Sequence, residues 1–489
     1  MAGRLSQLRA NWLAATLLGA GLVLRVITAV TYRPALFYLD TVRYLYNSGG
    51  NDPVGYRLPL KLILAAGNFT VVAVVQHLLG LAMAVTIYLV LVRRGAPRWL
   101  AALAMAPVLL DAYQLQLEQL VLPDVWFEAL IVAGIAVLLA RPGTQPGFRW
   151  VVAAGLIFGV SATFRQVGEI LVLPAAVYLL VACPSWRAGL ARAAALVVAF
   201  AIPVLGYLTG SYFLVGHFYL SHSGVTTTYG RMAWSADCTT IRLPPVERGL
   251  CPTPAQRAHG PDWLEHSPDA PIRRYYSGPL SPRASALVVS FNHAVLSQQP
   301  ERVLRTYLTD VGKLFAPGRT ASPGDPPLRR WQFQTSYPYL SPHATPAQVL
   351  PAIEHYGGGA PAVWRPGATF LRGYQLGGGY TPGPLLAFCV LLGLAGSVLA
   401  GVRRFRRPQP GPATQSLVLA CVLFFWSGAT VLLLADLFEF SWRYQLPALV
   451  TLPPAAAAGL AEIVRLAATR RAARTGQLAE SGEQVSLRD

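Results

Sequence analysis

The stretch "FTVVAVVQHLLGLAMAVTIYLVLV" fills residues 69–92 without a single Asp, Glu, Lys or Arg. A soluble domain has nowhere to put such a run, whereas a helix crossing the ~30 Å of membrane hydrocarbon at ~1.5 Å per residue needs about twenty such residues. Comparable runs recur at 11–31, 97–113, 123–141, 148–164, 167–184, 189–216, 384–402, 415–437 and 445–467. The expected fold class is therefore an all-α polytopic membrane protein of about ten transmembrane helices. Composition agrees, since 54% hydrophobic against 13% charged residues over 489 positions is too apolar and too long for one soluble core.

The formal charge of +18 is carried almost wholly by arginine, the lysines being Lys61 and Lys313. A nucleic-acid binder would gather these charges on one basic domain, but here they are scattered between apolar runs, so membrane lipids rather than nucleic acid are the expected partners. They cluster at Arg4 and Arg9, at Arg93, Arg94 and Arg98, at Arg141 and Arg149, at Arg187 and Arg192, at Arg403, Arg404, Arg406 and Arg407, and at Arg470, Arg471 and Arg474. These are alternate connections plus both tails, which predicts cytoplasmic termini in the cell membrane. The first run has a charged start and no small-residue cleavage site, and reads as a retained helix.

On this plan residues 1–216 form an N-terminal transmembrane module with outer loops at 32–68 and 114–122. Residues 217–383 form a large extracytoplasmic segment, 384–467 the C-terminal membrane helices and 468–489 a cytoplasmic tail. In the large segment the clear helical signal is "ASALVVSFNHAVLSQQPERVLRTYLTDVGKLF", where Leu287, Phe291, Val295, Val303, Leu304, Tyr307 and Phe315 predict amphipathic pieces on the membrane or on the bundle. "PGRTASPGDPPLRR" and "HYGGGAPAVWRPGATFLRGYQLGGGYTPGP" carry punctuation instead of periodicity and predict irregular structure. Cys183, Cys389 and Cys421 fall in apolar runs, while Cys238 and Cys251 share the outer segment. Thiols facing an oxidising exterior pair readily, and with no CxxC or close His a disulfide is favoured over a metal site. Asn68 opens "NFT", a glycosylation sequon in form.

Charges recur where the chain leaves the outer leaflet. "LFYLDTVRYLY" places Asp40, Arg43 and Tyr44 after the first run, with Asp40 and Tyr44 on one helical face. "DAYQLQLEQLVLPDVWFEAL" adds Asp111, Glu118 and Asp124, and "ADLFEFSWRYQLP" adds Asp436, Glu439, Arg443 and Tyr444. Ionised groups at the hydrocarbon edge are costly unless they pair or line a wet cavity, so their convergence predicts such a cavity. Arg25 and Glu169 lie within apolar runs; Arg25 is close enough to the outer end to snorkel, and Glu169 to pair with Arg165 at i,i+4. His217, His222, His293 and His355 fall in the outer segment, where an isolated His reads as polar surface.

Asp40 with Tyr44, then "PVGYRLPL" with Tyr56 and Arg57, "LEQLVLPDVWFEAL", the Arg165 of "TFRQVGEILVLP" and the closing "RYQLP" resemble the layout of GT-C superfamily membrane glycosyltransferases. The resemblance is to the polyprenyl-phosphate-sugar-dependent branch, similar to protein mannosyltransferases and aminoarabinose transferases, and covers about the first 180 residues and the last 60. The "YGRMAWSADC" context is similar to that of actinobacterial glycosyltransferase-like membrane proteins.

The resemblance implies that Asp40 is the catalytic base, that the donor is a polyprenyl-phosphate-linked sugar and that the acceptor is extracytoplasmic. The chemistry asks for the same groups: a carboxylate to take the acceptor proton and cations to hold the leaving phosphate. Arg57, Arg165 and Arg443 are the phosphate candidates, with Arg43, Tyr44, Tyr56 and Tyr444 beside them. Arg165 could equally snorkel, and Arg443 equally anchor at the interface. Where the group has a second acid next to the first, this chain has Thr41. Glu118 or Asp124 then supplies the second carboxylate, to orient the acceptor or to hold a divalent cation, and the cofactor stays undetermined. A transporter or flippase lined by the same charges and a non-catalytic envelope scaffold stand as alternatives, though a transporter's charges would meet at the midplane, and here they crowd one face while the middles of the runs are nearly free of them.

Overall fold

A computed structural model of the chain describes residues 2–46, 53–141, 145–216, 218–221, 223–275, 281–336, 346–406 and 416–486. His217, His222 and Arg407, and the side chains of Arg4, Arg9, Arg403, Arg404, Arg406, Arg470 and Arg474, lie outside the described residues. The chain is almost entirely helical. Its N-terminal helices are α1 (Ala2–Thr31), α2 (Leu39–Tyr46), α3 (Arg57–Ala66), α4 (Phe69–Arg93), α5 (Arg98–Leu110), α6 (Ala112–Gln119), α7 (Asp124–Leu138), α8 (Phe148–Phe164), α9 (Val172–Ala182) and α10 (Trp186–Val215). The outer segment follows with α11 (Ser223–Ser235), α12 (Pro254–Arg257), α13 (Gly260–His266), α14 (Pro282–Gln298), α15 (Pro300–Lys313), α16 (Pro346–Tyr356) and α17 (Arg365–Leu376). Helices α18 (Gly383–Arg406), α19 (Ser416–Phe438) and α20 (Pro447–Ser486) close the chain. Among the described residues one small sheet pairs β1 (Tyr32–Arg33) antiparallel with β2 (Ala362–Val363).

Six helical stretches are long and apolar enough to span a membrane: Asn11–Thr31, Phe69–Arg93, Trp186–Leu214, Gly383–Val402, Leu417–Phe438 and Pro447–Thr469. The pair α5 and α6, bent by 53°, makes a seventh if counted together. The expectation of about ten is therefore corrected to six or seven for the described residues. The difference lies in α7, α8 and the Gln166–Ala182 stretch, shorter apolar helices that sit at or below the ~17-residue lower limit of a span. Helix α7 buries Val125, Phe127, Ile131, Ile135 and Leu138 inside the protein, whereas α8 and α9 leave Phe148, Val152, Leu173 and Val177 exposed. Helix α8 lies so close to α10 that a side chain at Gly155 or Gly159 would strike the carbonyls of Leu196 or Phe200, the small-residue contact by which helices approach in lipid. The chain is a multi-pass membrane protein, with α20 most enclosed (83% of its span window buried) and α10 most lipid-facing (22%).

The outer segment is more regular than its punctuation implied. Helices α14 and α15 fall on the predicted amphipathic stretch, but α17 forms in sequence expected to be irregular, and α11 forms where no helical signal was singled out. Helix α17 is bracketed by Pro366 in its first turn and the glycines after Leu376, and buries Ala368, Leu371 and Gln375; Pro at the start and Gly past the end is a helix signature. A second core gathers Tyr229, Leu250, Leu264, Ile272, Val288, Phe291 and Val295. Cys238 and Cys251 are disulfide-bonded with their Cα atoms 6.0 Å apart. Asn68 spends its side chain on capping α4, accepting from the N–H groups of Thr70 (3.0 Å) and Val71 (3.4 Å).

Two buried arginines fasten this segment to the bundle. Arg231 on α11 pairs with Asp310 at 2.6 Å and donates to the carbonyls of Asp436 (2.8 Å) and Phe438 (3.1 Å) at the end of α19. Arg319 pairs with Asp111 at 2.7 Å and lies 4.2 Å from the ring centroid of Tyr113. Asp111 also caps α6 and accepts from the Thr381 N–H at 2.8 Å. The disulfide closes a short loop beside the second core, so replacing Cys238 and Cys251 together by Ser is expected to cost the segment about 3 kcal/mol. Faster limited proteolysis between residues 223 and 313 in the double variant, with α18–α20 still resistant, is the measurement.

Candidate functional site

Between α1 and α2 the chain runs through Pro34–Tyr38 pinned to the loop before α7. The Leu36 N–H donates to the Gln119 carbonyl (2.9 Å), and the Val121 N–H donates to that of Leu36 (3.0 Å). Thr41, standing where the resembled group has a second acid, locks the start of α2: its hydroxyl accepts from the Tyr38 N–H and donates to the Val121 carbonyl, each at 3.0 Å. Asp40 is thereby set beside the first turn of α7, which carries Asp124.

Arg443, in the turn between α19 and α20, joins the two acids. Its Nε and Nη2 grip Asp124 in a bidentate pair (2.9 and 2.7 Å), and its Nη1 reaches Asp40 at 2.6 Å. Arg165, just past the end of α8, pairs with the same Asp124 and lies 4.7 Å from the Tyr444 ring centroid. Arg43 is 3.7 Å from the other oxygen of Asp40. Asp124 and Arg443 are buried, whereas Asp40 keeps 18% of its side chain accessible. Burial alone would raise the Asp40 pKa, but Arg443 first and Arg43 next outweigh it and hold the carboxyl below its ordinary value. Nearby Glu439 goes the other way, pushed well up by burial and then by Asp262 and Glu265.

Tyr38 and Trp331 roof Arg443, their ring centroids 5.0 Å apart and 6.0 and 5.5 Å from its guanidinium carbon. Trp331 is held from behind by Gln375 of α17, which donates to its carbonyl at 3.0 Å. A hollow beside Arg443, lined by Asp124, Phe127, Glu128, Arg165 and Tyr444 among others, has room for about one water molecule.

The other predicted residues lie elsewhere. Glu118 does not join Asp40, because α6 turns it into the bundle, where it pairs with Arg25 at 2.6 Å and His77 at 2.8 Å. Arg25 does not snorkel: it is buried and also donates to the carbonyls of Gly21, Val108 and Leu109. Gly80 leaves room for this pair, since a Cβ there would collide with the Glu118 carboxylate. Tyr56 donates to Gln76 at 3.1 Å and meets Tyr44 edge-on at 5.3 Å. Arg57 opens α3 away from the acids, half-buried. Glu169 is on the 3-10 helix Gln166–Leu171, where α-helical i,i+4 geometry does not hold, and Arg165 takes Asp124 instead. Asp436 accepts from Gln445 at 2.7 Å.

A divalent cation does not fit the donors present. Asp124 is taken by two arginines and Glu118 by Arg25 and His77. Among the described residues no three His, Cys, Asp or Glu side chains are grouped as metal ligands.

No protein-family model matches the sequence, and no curated protein does. Two solved structures are similar in outline. One is the archaeal oligosaccharyltransferase AglB from Archaeoglobus fulgidus in complex with an inhibitory peptide and a dolichol-phosphate, at 13% identity and a TM-score of 0.42, over 96% of this chain and 52% of that one. The other is the Archaeoglobus fulgidus oligosaccharyltransferase tethered with an acceptor peptide containing the NVT sequon, at 11% identity and a TM-score of 0.40, over 92% of this chain and 50% of that one. The chain spans about half the length of these proteins. At this distance its site stands on its own side chains.

His77 and Gln76 were passed over in the sequence, although two polar residues inside an otherwise apolar span were the available signal. Gln76 donates to the carbonyls of Glu118 and Leu120 (2.9 and 2.6 Å), and His77 bonds Gln119 at 2.8 Å. Arg25→Met would leave the buried Glu118 with His77 as its remaining ion-pair partner and cost about 3–5 kcal/mol, and Arg25→Met with Glu118→Met should recover part of it. Unfolding midpoints of the single and double variants in detergent measure both effects.

Proposed function

We propose that the chain is a GT-C type glycosyltransferase that moves a hexosyl or pentosyl unit from a polyprenyl-phosphate carrier to an acceptor on the extracytoplasmic side of the cell membrane, with Asp40 as general base and both termini cytoplasmic. The observation that carries the reading is the Asp40–Arg443–Asp124 cluster with Arg43 and Arg165 around it, formed where outer loops distant in sequence meet. It combines an ionised, partly accessible carboxylate with guanidinium groups suited to phosphate oxygens. The motif resemblance named above points to the same aspartate.

In this reading the acceptor hydroxyl attacks C1 of the sugar and gives its proton to Asp40 as the C1–oxygen bond to the phosphate breaks. The polyprenyl phosphate leaves with the electron pair, and the anomeric centre inverts. Arg43 and Arg443 both contact Asp40, so a phosphate bound by the same guanidinium groups draws on the cations that hold Asp40 ionised and raises its basicity. Asp124 acts by fixing Arg443. The one-water hollow is far below the ~300 Å³ or more of a ligand site, so donor entry requires the side chains around it to shift.

Asp40→Asn is expected to abolish transfer in membranes by at least ~100-fold, the lower range for a general base, while expression and unfolding midpoint persist; unchanged transfer sinks the reading and leaves the transporter and scaffold alternatives. The base works ionised and its pKa is lowered, so kcat/KM should stay flat on the acid side until below the ordinary carboxylate range near ~4. Arg43→Gln removes one of the cations responsible, which raises the Asp40 pKa and moves that acid limb upward. The position of the limb, rather than its height, is the readout in a pH–rate profile.

A further inference from the structure

A separate cleft lies in the outer segment, with a volume of about 470 Å³, lined by Trp234, Ser235, Arg257, Arg302, Arg305 and Thr306. That volume is in the range of sites that enclose small ligands, ~300–1,000 Å³. Its walls come from three stretches. The end of α11 supplies Trp234 and Ser235, α12 supplies Arg257, and α15 supplies Arg302, Arg305 and Thr306.

Backbone carbonyls hold two of the arginines in place. Arg257 Nη1 donates to the Ala236 carbonyl at 2.9 Å and Arg302 Nε to that of Ser235 at 3.2 Å. Each thus commits only part of a five-donor guanidinium. Two acids stand nearby: Glu301 pairs with the well-exposed Arg305 at 2.9 Å, and Asp237 is 3.7 Å from Arg302. Pairs this exposed contribute little and exchange readily for a ligand anion. The disulfide joins the walls, because Cys238 follows the carbonyls of Ser235 and Ala236 and Cys251 precedes α12. The cleft therefore has two walls linked covalently through the adjoining chain, a cationic rim and one indole wall.

We propose that this cleft binds an anionic saccharide, the arginines taking carboxylate or phosphate oxygens and Trp234 packing on the apolar face of a sugar ring. Under the function proposed above, on which this step rests, it holds an acidic residue of the acceptor glycan at a distance from the transfer site. Trp234 links the two regions, since Arg231, 5.3 Å from its ring centroid, grips the end of α19 just before Glu439.

The test uses the full chain in neutral-lipid nanodiscs, titrated calorimetrically with size-fractionated oligogalacturonate and with a neutral maltooligosaccharide of equal length. A second arm measures flotation with phosphatidylcholine vesicles with and without phosphatidylglycerol. Oligogalacturonate should bind at least about tenfold more tightly than the neutral oligomer, and Arg302→Gln with Arg305→Gln should weaken it about tenfold or more at an unchanged unfolding midpoint. Arg305→Glu, at an exposed position, gives the same loss should the double variant fold poorly. Equal binding of the neutral oligomer, or affinity unaffected in both variants, overturns the assignment. Arginine-dependent binding of the anionic vesicles alone also overturns it, making the ligand a lipid headgroup. No transfer step is read, so failure here leaves the Asp40 reading standing, and active Asp40→Asn would leave the cleft standing.

Discussion

Arg443 is the residue on which the outer end of the molecule depends. One planar guanidinium holds Asp124, 319 positions away in sequence, and Asp40, 403 positions away. Each of these groups would be expensive at a membrane boundary by itself, and the energy of an unpaired charge there far exceeds that of a surface ion pair. The loops carrying them therefore come together because separating them is costly. Arg165 adds a second cation on Asp124, leaving Asp40 as the acid with access to solvent.

Below this cluster a second polar layer does a different job with the same chemistry. Arg25, His77, Glu118, Gln76 and Gln119 bind one another and the backbone of α5 and α6, and Gln119 also donates to the Tyr32 carbonyl at 2.7 Å. With nearly every group satisfied inside the bundle, this layer ties α1 and α4 to the short broken helix α6. It sets the height of the loop that leads into Asp124. Glu118 and Asp40 are thus two carboxylates with separate tasks, one enclosed among helices and one open to the outer surface.

The outer segment reaches both layers. Arg231 and Arg319 carry it onto the end of α19 and the start of α6, while Trp331 covers Arg443. Trp331 itself packs with the bundle core, while residues between Val225 and Val303 of the same segment form a core of their own.

The apolar runs alone determined that this is a helical membrane protein, because a charge-free stretch of span length has few other solutions in water. The charges beside them marked Asp40, Asp124, Arg165 and Arg443 as groups needing partners, and the placing of Cys238 and Cys251 outside the apolar runs marked them as a disulfide pair. Hydropathy could not separate a lipid-crossing helix from a short one enclosed by protein, as α7 is, since both are apolar for their own reasons. Nor could it tell which acid pairs with which base: Arg25 with Glu118, Arg231 with Asp310 and Arg319 with Asp111 are meetings of distant segments. Those choices belong to tertiary structure, because an ion pair is decided by where helices cross and which way their side chains face, and neither is written in local periodicity.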